Sequence, residues 1–365
     1  MQMSPGNFRY SLYVLSLLVL IIFPSIVLSE NDYSNRDFSV RLPPAFVRFT
    51  EISVMGGETV ANRFSSAINP ASLGWISLPG KNGIVVSPYY SFLNFQEGMH
   101  LDLFGESLTW DTRSWGAIQP TLSQVRTNNA TARDGLTFDY QVDVGQVQWG
   151  KRFGNWALGA DLNFARANVR RKGTLLSQIP GLPQMMPVDV DTETSADSCR
   201  GRIGGLYQPT EKWLLGMILE YGFQPYRSKT TTQMNLPLLP SPVRQTTEAN
   251  GNQQQYILRP GLSYEYAKMS TIFVDYQLGI FNSDRDTLVN HRFNTGIEHR
   301  LLEWLFVRFS PSIDLQGNVG VSFGLSAFLS KWCSIEAAYQ YNMYPEIEHE
   351  FGRAQTIQSV LVFWF

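Results

Sequence analysis

The chain is poor in the residues that most often carry chemistry. Among 365 residues there are two cysteines and four histidines. Two thiols exclude a disulfide-dense secreted scaffold. His100, His291, His299 and His349 are too scattered for a zinc site or a catalytic triad. Charged residues are 16% of the chain, with 29 basic against 31 acidic, so no basic excess points to nucleic acid. After residue 30 there is no apolar run long enough for a membrane-spanning helix. Gly320-Val321-Ser322-Phe323-Gly324 fits the letters of a lipase nucleophile motif. It lies in a regular alternating stretch, however, and not at a strand–turn–helix elbow. No nucleotide or redox motif is present, so neither an enzyme nor a cofactor or metal is expected.

What is abundant is aromatic and patterned. Phe, Tyr and Trp make up 13% of the residues. A soluble domain would have to hide them in a core, whereas a membrane barrel places them in girdles at both interfaces. Residues 1–29 read as a signal peptide, with Arg9 ahead of an apolar run from Leu12 to Phe23 and small residues before Glu30. At the other end, Ile357 to Phe365 is a β-prone stretch finishing on Phe363-Trp364-Phe365. It resembles the last strand of bacterial outer-membrane barrels, whose terminal aromatics (here Phe363 and Phe365) serve as the signal read by the barrel-assembly machinery.

Period-two alternation runs through most of the remainder. Trp213, Leu215, Met217, Leu219, Tyr221 and Phe223 share one face, opposite Gly216, Glu220 and Gly222. Trp156, Leu158, Ala160, Leu162 and Phe164 oppose Gly159, Asp161 and Asn163. The pattern predicts strands at 84–94, 98–109, 112–124, 136–151, 155–169, 198–209, 212–226, 254–267, 270–281, 287–301, 304–315, 318–329, 331–344 and 355–365. At about 11–14 residues these exceed typical soluble strands of about 5–6 and suit tilted membrane strands. Short connections (Trp110-Asp111, Arg152 to Gly154, Pro209 to Glu211, Ala267-Lys268) alternate with long ones at 125–135, 170–197 and 227–253. Short periplasmic turns and long outer loops produce such alternation. The expected fold is therefore all-β, a transmembrane antiparallel barrel over 83–365 in the bacterial outer membrane, with both termini in the periplasm. Cys199 and Cys333 fall on the lipid-facing phase and are expected to be unpaired.

Ahead of the first strand, Met55-Gly56-Gly57 leads through a small-residue segment into Asn69-Pro70-Ala71-Ser72-Leu73. This resembles the N-terminal signature of the FadL-type outer-membrane transporters of hydrophobic compounds, with Asn69, Pro70, Ala71 and Leu73 on the short motif. The resemblance implies a hatch, or plug, over 30–82 folded inside a fourteen-stranded barrel, with no energy coupling. It also implies large outer loops that capture ligand and a kinked third strand that lets it leave sideways. A subgroup with the same motif serves protein secretion, which keeps that function open.

Two apolar segments fit ligand capture: Leu175, Leu176, Ile179, Leu182, Met185 and Met186 in one predicted loop, and Leu236, Leu238 and Leu239 in another. Gly116 and Pro120 are the candidate wall kink, because proline cannot donate to a β-ladder. Asp102, Asp143, Asp161, Glu220, Glu265, Asp275, Glu298, Arg300, Arg308, Asp314 and Glu336 are expected to face the lumen. The acidic groups Asp189, Asp191, Glu193, Asp197 and Glu346, Glu348, Glu350 read as solvated charge. The expected function is passive transport of a hydrophobic small molecule, such as a long-chain fatty acid or an aromatic hydrocarbon. The alternatives are a porin for polar solutes and a structural or secretion-associated barrel. Expected partners are the ligand, outer-membrane lipid with lipopolysaccharide, and the assembly machinery.

Overall fold

The computed structural model describes residues 59–61, 67–75, 83–96, 100–112, 114–131, 135–178, 185–234, 241–283, 287–342 and 353–365. The signal segment lies outside them. Fourteen strands follow one another: β1 (Ile84–Phe95), β2 (His100–Asp111), β3 (Ala117–Thr131), β4 (Thr137–Phe153), β5 (Trp156–Gln178), β6 (Met185–Tyr207), β7 (Trp213–Met234), β8 (Val243–Ala267), β9 (Ser270–Ser283), β10 (Thr287–Leu302), β11 (Leu305–Asp314), β12 (Val319–Ser330), β13 (Cys333–Tyr341) and β14 (Ala354–Trp364). Each pairs antiparallel with its neighbours in sequence, and β14 closes on β1 through Val85↔Trp364 to Phe95↔Ala354. Closure leaves no sheet edge to satisfy. The first and last strand ends share the short-turn end, where Phe365 donates its amide to Ile84 O at 2.9 Å.

Two expectations are corrected. The third strand begins at Ala117 and continues to Thr131, not 112–124. The turn is Thr112–Gly116, closed by a Thr112 Oγ1 bond to Gly116 O at 2.6 Å, with Gly116 at φ +93°. That left-handed conformation stops an extended strand there. Secondly, the predicted loops 170–197 and 227–253 are largely strand. β5 and β6 are 23 residues each and stay paired from Trp156↔Tyr207 to Gln178↔Met185. β7 and β8 pair as far as Met234↔Val243. Leu175 and Leu176 therefore sit on β5, and Met185 and Met186 on β6. Ile179, Leu182, Leu236, Leu238 and Leu239 lie outside the described residues.

The reason for the misreading is a change of polarity partway along the strands. On β5 the inward side chains run Ala157, Gly159, Asp161, Asn163 and then Ala165, Ala167, Val169. The outward ones run Trp156, Leu158, Ala160, Leu162, Phe164 and then Arg166, Asn168, Arg170. The lower part is apolar outside and polar inside, as a lipid-facing wall requires. The upper part is polar outside and apolar inside, as in a soluble barrel standing clear of lipid. β4 does the same, with Gln146 and Gln148 inside below and Phe138, Tyr140 and Val142 inside above. A pattern search tuned to one polarity stops at the switch.

The lower outer face is a continuous apolar belt that includes Leu162, Phe164, Leu215, Leu219 and Phe223, all exposed. Its short-turn margin is aromatic. Trp156 stacks on Tyr207 at 4.0 Å and Trp213 packs on Tyr264 at 4.6 Å between ring centroids. Both cysteines are free, Cys199 exposed on the outer face and Cys333 half-buried.

Five outward prolines share one consequence. Opposite Pro88, Pro120, Pro225, Pro260 and Pro311, one ladder skips two pairs and resumes in the same register. At Pro120 the β2–β3 ladder runs to Ser107↔Thr121 and picks up again at Trp110↔Ile118. The missing N–H opens the gap without a bulge or register slip.

Candidate functional site

Inside the lower barrel lies the N-terminal motif. Pro70–Gly74 forms one turn of 3-10 helix, with Asn69 as its N-cap and Pro70 at the first helical position. Asn69 is fully buried and its amide is divided between three bonds. Its Oδ1 accepts from Ala71 N at 3.1 Å, and its Nδ2 donates to Val60 O at 2.9 Å and to Gly205 O at 3.2 Å. Asn69 thus ties the turn to its own capping position, to residue 60, and to the wall. Leu73, Ala71 and Pro70 are buried beside it.

The wall is hollowed to receive this segment. Gly150 on β4, Gly159 on β5 and Gly204 on β6 face inward under it. A Cβ at Gly159 would overlap the Ala71 amide and the Pro70 carbonyl carbon, and one at Gly204 would overlap Asn69 Oδ1. A Cβ at Gly150 would stand 2.5 Å from Pro70 O and 2.7 Å from Leu73 Cβ. On the far side, Gly216 and Gly261 leave room for Val60. Gly159 and Gly216 were visible in the sequence as small residues opposite the apolar face, but nothing there said what they made room for.

Charges then fasten the segment. Asp275 on β9 accepts from Val60 N at 3.0 Å, Thr59 Oγ1 at 3.1 Å and Arg259 Nη2 at 3.0 Å. Arg202 binds Asp161 and donates to Ala67 O at 3.0 Å. Arg308 pairs with Glu298 at 2.5 Å lower on the opposite wall. Each pair is buried, and buried charges persist when paired and hydrogen-bonded. Asp275→Ala should remove three bonds, the ion pair with Arg259 among them. Breaking such a pair costs about 3–5 kcal/mol. The expected result is fast hydrogen exchange at Val60 in an otherwise intact barrel, read by exchange mass spectrometry; unchanged protection there would show that the latch is not Asp275.

Of the predicted luminal charges, Asp161, Glu220, Glu265, Asp275, Glu298, Arg300, Arg308, Asp314 and Glu336 lie on the inward phase. Asp102 and Asp143 do not. Asp102 accepts from outward Tyr90 at 2.6 Å, and Asp143 is exposed, accepting from Gln141 at 3.1 Å. Both stand above the polarity switch, where polar side chains point out.

Above the seat of this turn the lumen is apolar. Leu93, Phe95, Leu101, Leu103, Val125, Phe138, Tyr140, Val142, Ala167 and Tyr226 belong to one buried cluster drawn from β1 to β7 and β14. Val142 is 0% and Tyr140 1% exposed. Burial pushes the Tyr140 phenol well above its ordinary range, so it stays neutral. Sequence reasoning missed this cluster, because it looked for apolar residues outside at every height. Its only signal was the run Phe138, Tyr140, Val142, Val144 against Asp139, Gln141 and Asp143.

The remaining sequence candidates are placed as follows. The acids Asp189, Asp191, Glu193 and Asp197 line the outer face of β6; the last three are ion-paired, and Asp189 accepts from Thr174 at 2.6 Å. Asp191 binds Arg170 at 2.7 Å, which holds its carboxyl below the usual range, and Asp197 binds Arg166 at 2.8 Å. Among the described residues no acidic, histidine or cysteine cluster has metal-binding geometry. His291 and His299 bond to Tyr276 and Tyr266, each at 2.6 Å, on the outer face. Ser322 is buried within regular β12. Phe363 pairs with Val86 and Cys333, and Phe365 is exposed just beyond β14.

No family model and no curated protein matches the chain. Solved structures do. The CymD monoaromatic hydrocarbon channel superposes with a TM-score of 0.60 at 12% identity, over 85% of this chain and 96% of that one. A Pseudomonas aeruginosa FadL homologue gives 0.58 at 13%, over 85% and 96%. The Pseudomonas putida toluene transporter TodX gives 0.53 at 12%, over 86% and 96%. At such identities the likeness is one of fold: the chain has the closed fourteen-stranded barrel of the FadL, TodX and CymD channels.

Proposed function

We propose that the protein is a passive outer-membrane transporter of hydrophobic small molecules, a long-chain fatty acid or an aromatic hydrocarbon. The observation that carries this reading is the buried apolar cluster around Phe138, Tyr140 and Val142, above a polar lower lumen in which Val60 bonds to Asp275. A porin needs a polar channel through the whole barrel, and an apolar closed level obstructs hydrated solutes. An apolar ligand gains about 0.8 kcal/mol for each methylene moved from water into such a place. The three solved channels with this fold carry names that speak of monoaromatic hydrocarbons, toluene and FadL, which agrees with the reading.

In this scheme Leu175, Leu176, Met185 and Met186 at the tip of the β5–β6 hairpin capture the ligand. Ile179, Leu182, Leu236, Leu238 and Leu239 take part with them. The ligand then enters the apolar chamber. Residues 30–82 act as the hatch through Asn69, Pro70, Ala71 and Leu73. The periplasm holds both termini, and Phe363 and Phe365 present the insertion signal to the assembly machinery. Membrane lipid, with lipopolysaccharide in the outer leaflet, surrounds the belt.

Release sideways between β2 and β3 rests on the ladder gap at Pro120 beside the Gly116 turn. Four other prolines make the same gap, so the ladder alone does not single this one out. Pro120→Thr restores the missing donor. It is expected to slow delivery of fatty acid into liposomes several-fold while leaving binding unchanged, whereas equal delivery would remove Pro120 from the route.

The function itself is tested on the refolded chain in planar bilayers. Near-silent ion conductance with saturable binding of oleate or toluene is expected. A large steady conductance would make the protein a porin, and silence without binding would make it a structural barrel.

A further inference from the structure

Two grooves run across the outer face of the same strands, one above the other. The lower lies within the apolar belt, a cavity of about 700 Å³. It runs between the cross-strand row Leu162–Gly201–Tyr221–Tyr256–Ile280 and the row Ala160–Ile203–Leu219–Leu258–Leu278. Gly201, an outward position without a side chain, deepens it. The upper is a polar cavity of about 650 Å³. It runs between Arg126–Gln141–Asn168–Ser195–Arg227–Asn250 and Asp139–Arg170–Glu193–Lys229–Glu248. The second of these rows alternates in sign, and opposite charges facing across strands stabilise one another. The first contains two arginines, Arg126 and Arg227, that make no ion pair with any described residue.

We propose that this face binds one phosphorylated glycolipid of the outer leaflet, of the lipopolysaccharide type, with acyl chains in the lower groove and phosphates on Arg126 and Arg227. The proposal rests on the outer-membrane placement above, and adds a site and a ligand class to it.

Height decides between a glycolipid and an ordinary phospholipid. The last apolar row, Phe164–Cys199–Phe223, lies four residues below Asn168, Ser195 and Arg227 on β5, β6 and β7. At about 3.3 Å per residue that is roughly 13 Å along the strand, or about 10 Å in height for strands tilted by about 40°. A phospholipid headgroup layer is only about 5–7 Å deep beyond the hydrocarbon. The free guanidiniums therefore stand above phospholipid phosphates, at the level of a phosphorylated sugar core. Guanidinium is well matched to phosphate, binding two oxygens at once.

The test uses the full refolded chain in detergent, with purified rough-type lipopolysaccharide or phosphatidylglycerol as probe and native mass spectrometry as readout. One lipopolysaccharide is expected per barrel, in preference to phosphatidylglycerol. The R126Q/R227Q double variant should lose at least tenfold in affinity. Gly201→Leu, which fills the lower groove and whose Cβ would meet only Leu162 Cδ2 at an ordinary 3.7 Å, should weaken binding too. Arg244→Gln, an exposed outward cation higher on β8, should change nothing. Heat-modifiable migration on a gel confirms that each variant is folded. Equal retention by R126Q/R227Q, or equal retention of phosphatidylglycerol, overturns the proposal. Oleate binding measured on the same samples tells its failure from failure of the transport reading: intact oleate binding without glycolipid preference sinks only the glycolipid site.

Discussion

Gly159→Val is expected to drive the Asn69–Leu73 turn out of its seat in the lower barrel. Gly159 faces the lumen on β5 directly beneath Pro70 and Ala71, and an added Cβ would overlap backbone atoms of the motif. Backbone cannot swing aside as a flexible side chain can. The wall offers no relief either, because β5 is held by continuous ladders to β4 and β6. The turn must therefore leave its seat. With it go the Asn69 bonds to Val60 and Gly205 and the burial of Leu73. Overpacking a tight site typically costs about 1–3 kcal/mol, and more where nothing yields. The barrel wall should survive, because its ladders and lipid-facing belt are untouched. Exchange mass spectrometry checks this: faster hydrogen exchange across residues 67–75 than in the unmodified protein is expected. A variant as protected there as its parent would mean that the turn keeps its seat against the added side chain.

The second large effect belongs to Val142→Asp. Val142 is 0% exposed on the inward face of β4, opposite Val125 on β3 and Ala167 on β5. A carboxylate there has no cation on either flanking strand at its own level. Burying it unpaired costs several kcal/mol, so water enters with it or the group takes up a proton. Either outcome makes this level of the lumen polar, and affinity for oleate or toluene should fall about 100-fold, equivalent to about 2.7 kcal/mol. The neighbouring Asp143→Ala, on the outer face, should leave binding as it was. That pair of variants separates the apolar cluster from the outer face, since one residue along the strand changes the face entirely. Equal affinity in both variants would place the ligand elsewhere.

Much of the barrel was legible because its lower half obeys one rule. Where Trp213 to Phe223 alternate with Gly216 and Glu220, lipid outside and a polar lumen leave a single reading, and the strand starts at residue 213 against an expected 212. Legibility failed where the surroundings changed along a strand. Thr230, Thr231 and Thr232 favour β-structure, yet no apolar face marks them, and β7 runs on to Met234 through them. The same inversion sent Asp102 and Asp143 outward and hid the cluster around Tyr140. The motif Asn69-Pro70-Ala71 was readable as a turn, from the capping chemistry of Asn and the fixed φ of Pro. Its place against Gly150, Gly159 and Gly204 was not, since those glycines are 79 to 135 residues away and meet it only after the barrel closes. Pro120 shows the reverse: a residue that looked singular in sequence has four structural equivalents.

The most direct measurement is photo-crosslinking with a fatty acid that carries a diazirine on its chain, added to the refolded protein in bilayers, with adducts mapped by peptide sequencing. Adducts on Phe138, Tyr140, Val142 and Leu103, competed away by unlabelled oleate, are expected of a luminal hydrophobe site. Adducts confined to the belt, on residues such as Leu162, Leu219 and Phe223, and indifferent to competition would show only partition into lipid, and would contradict transport through the barrel.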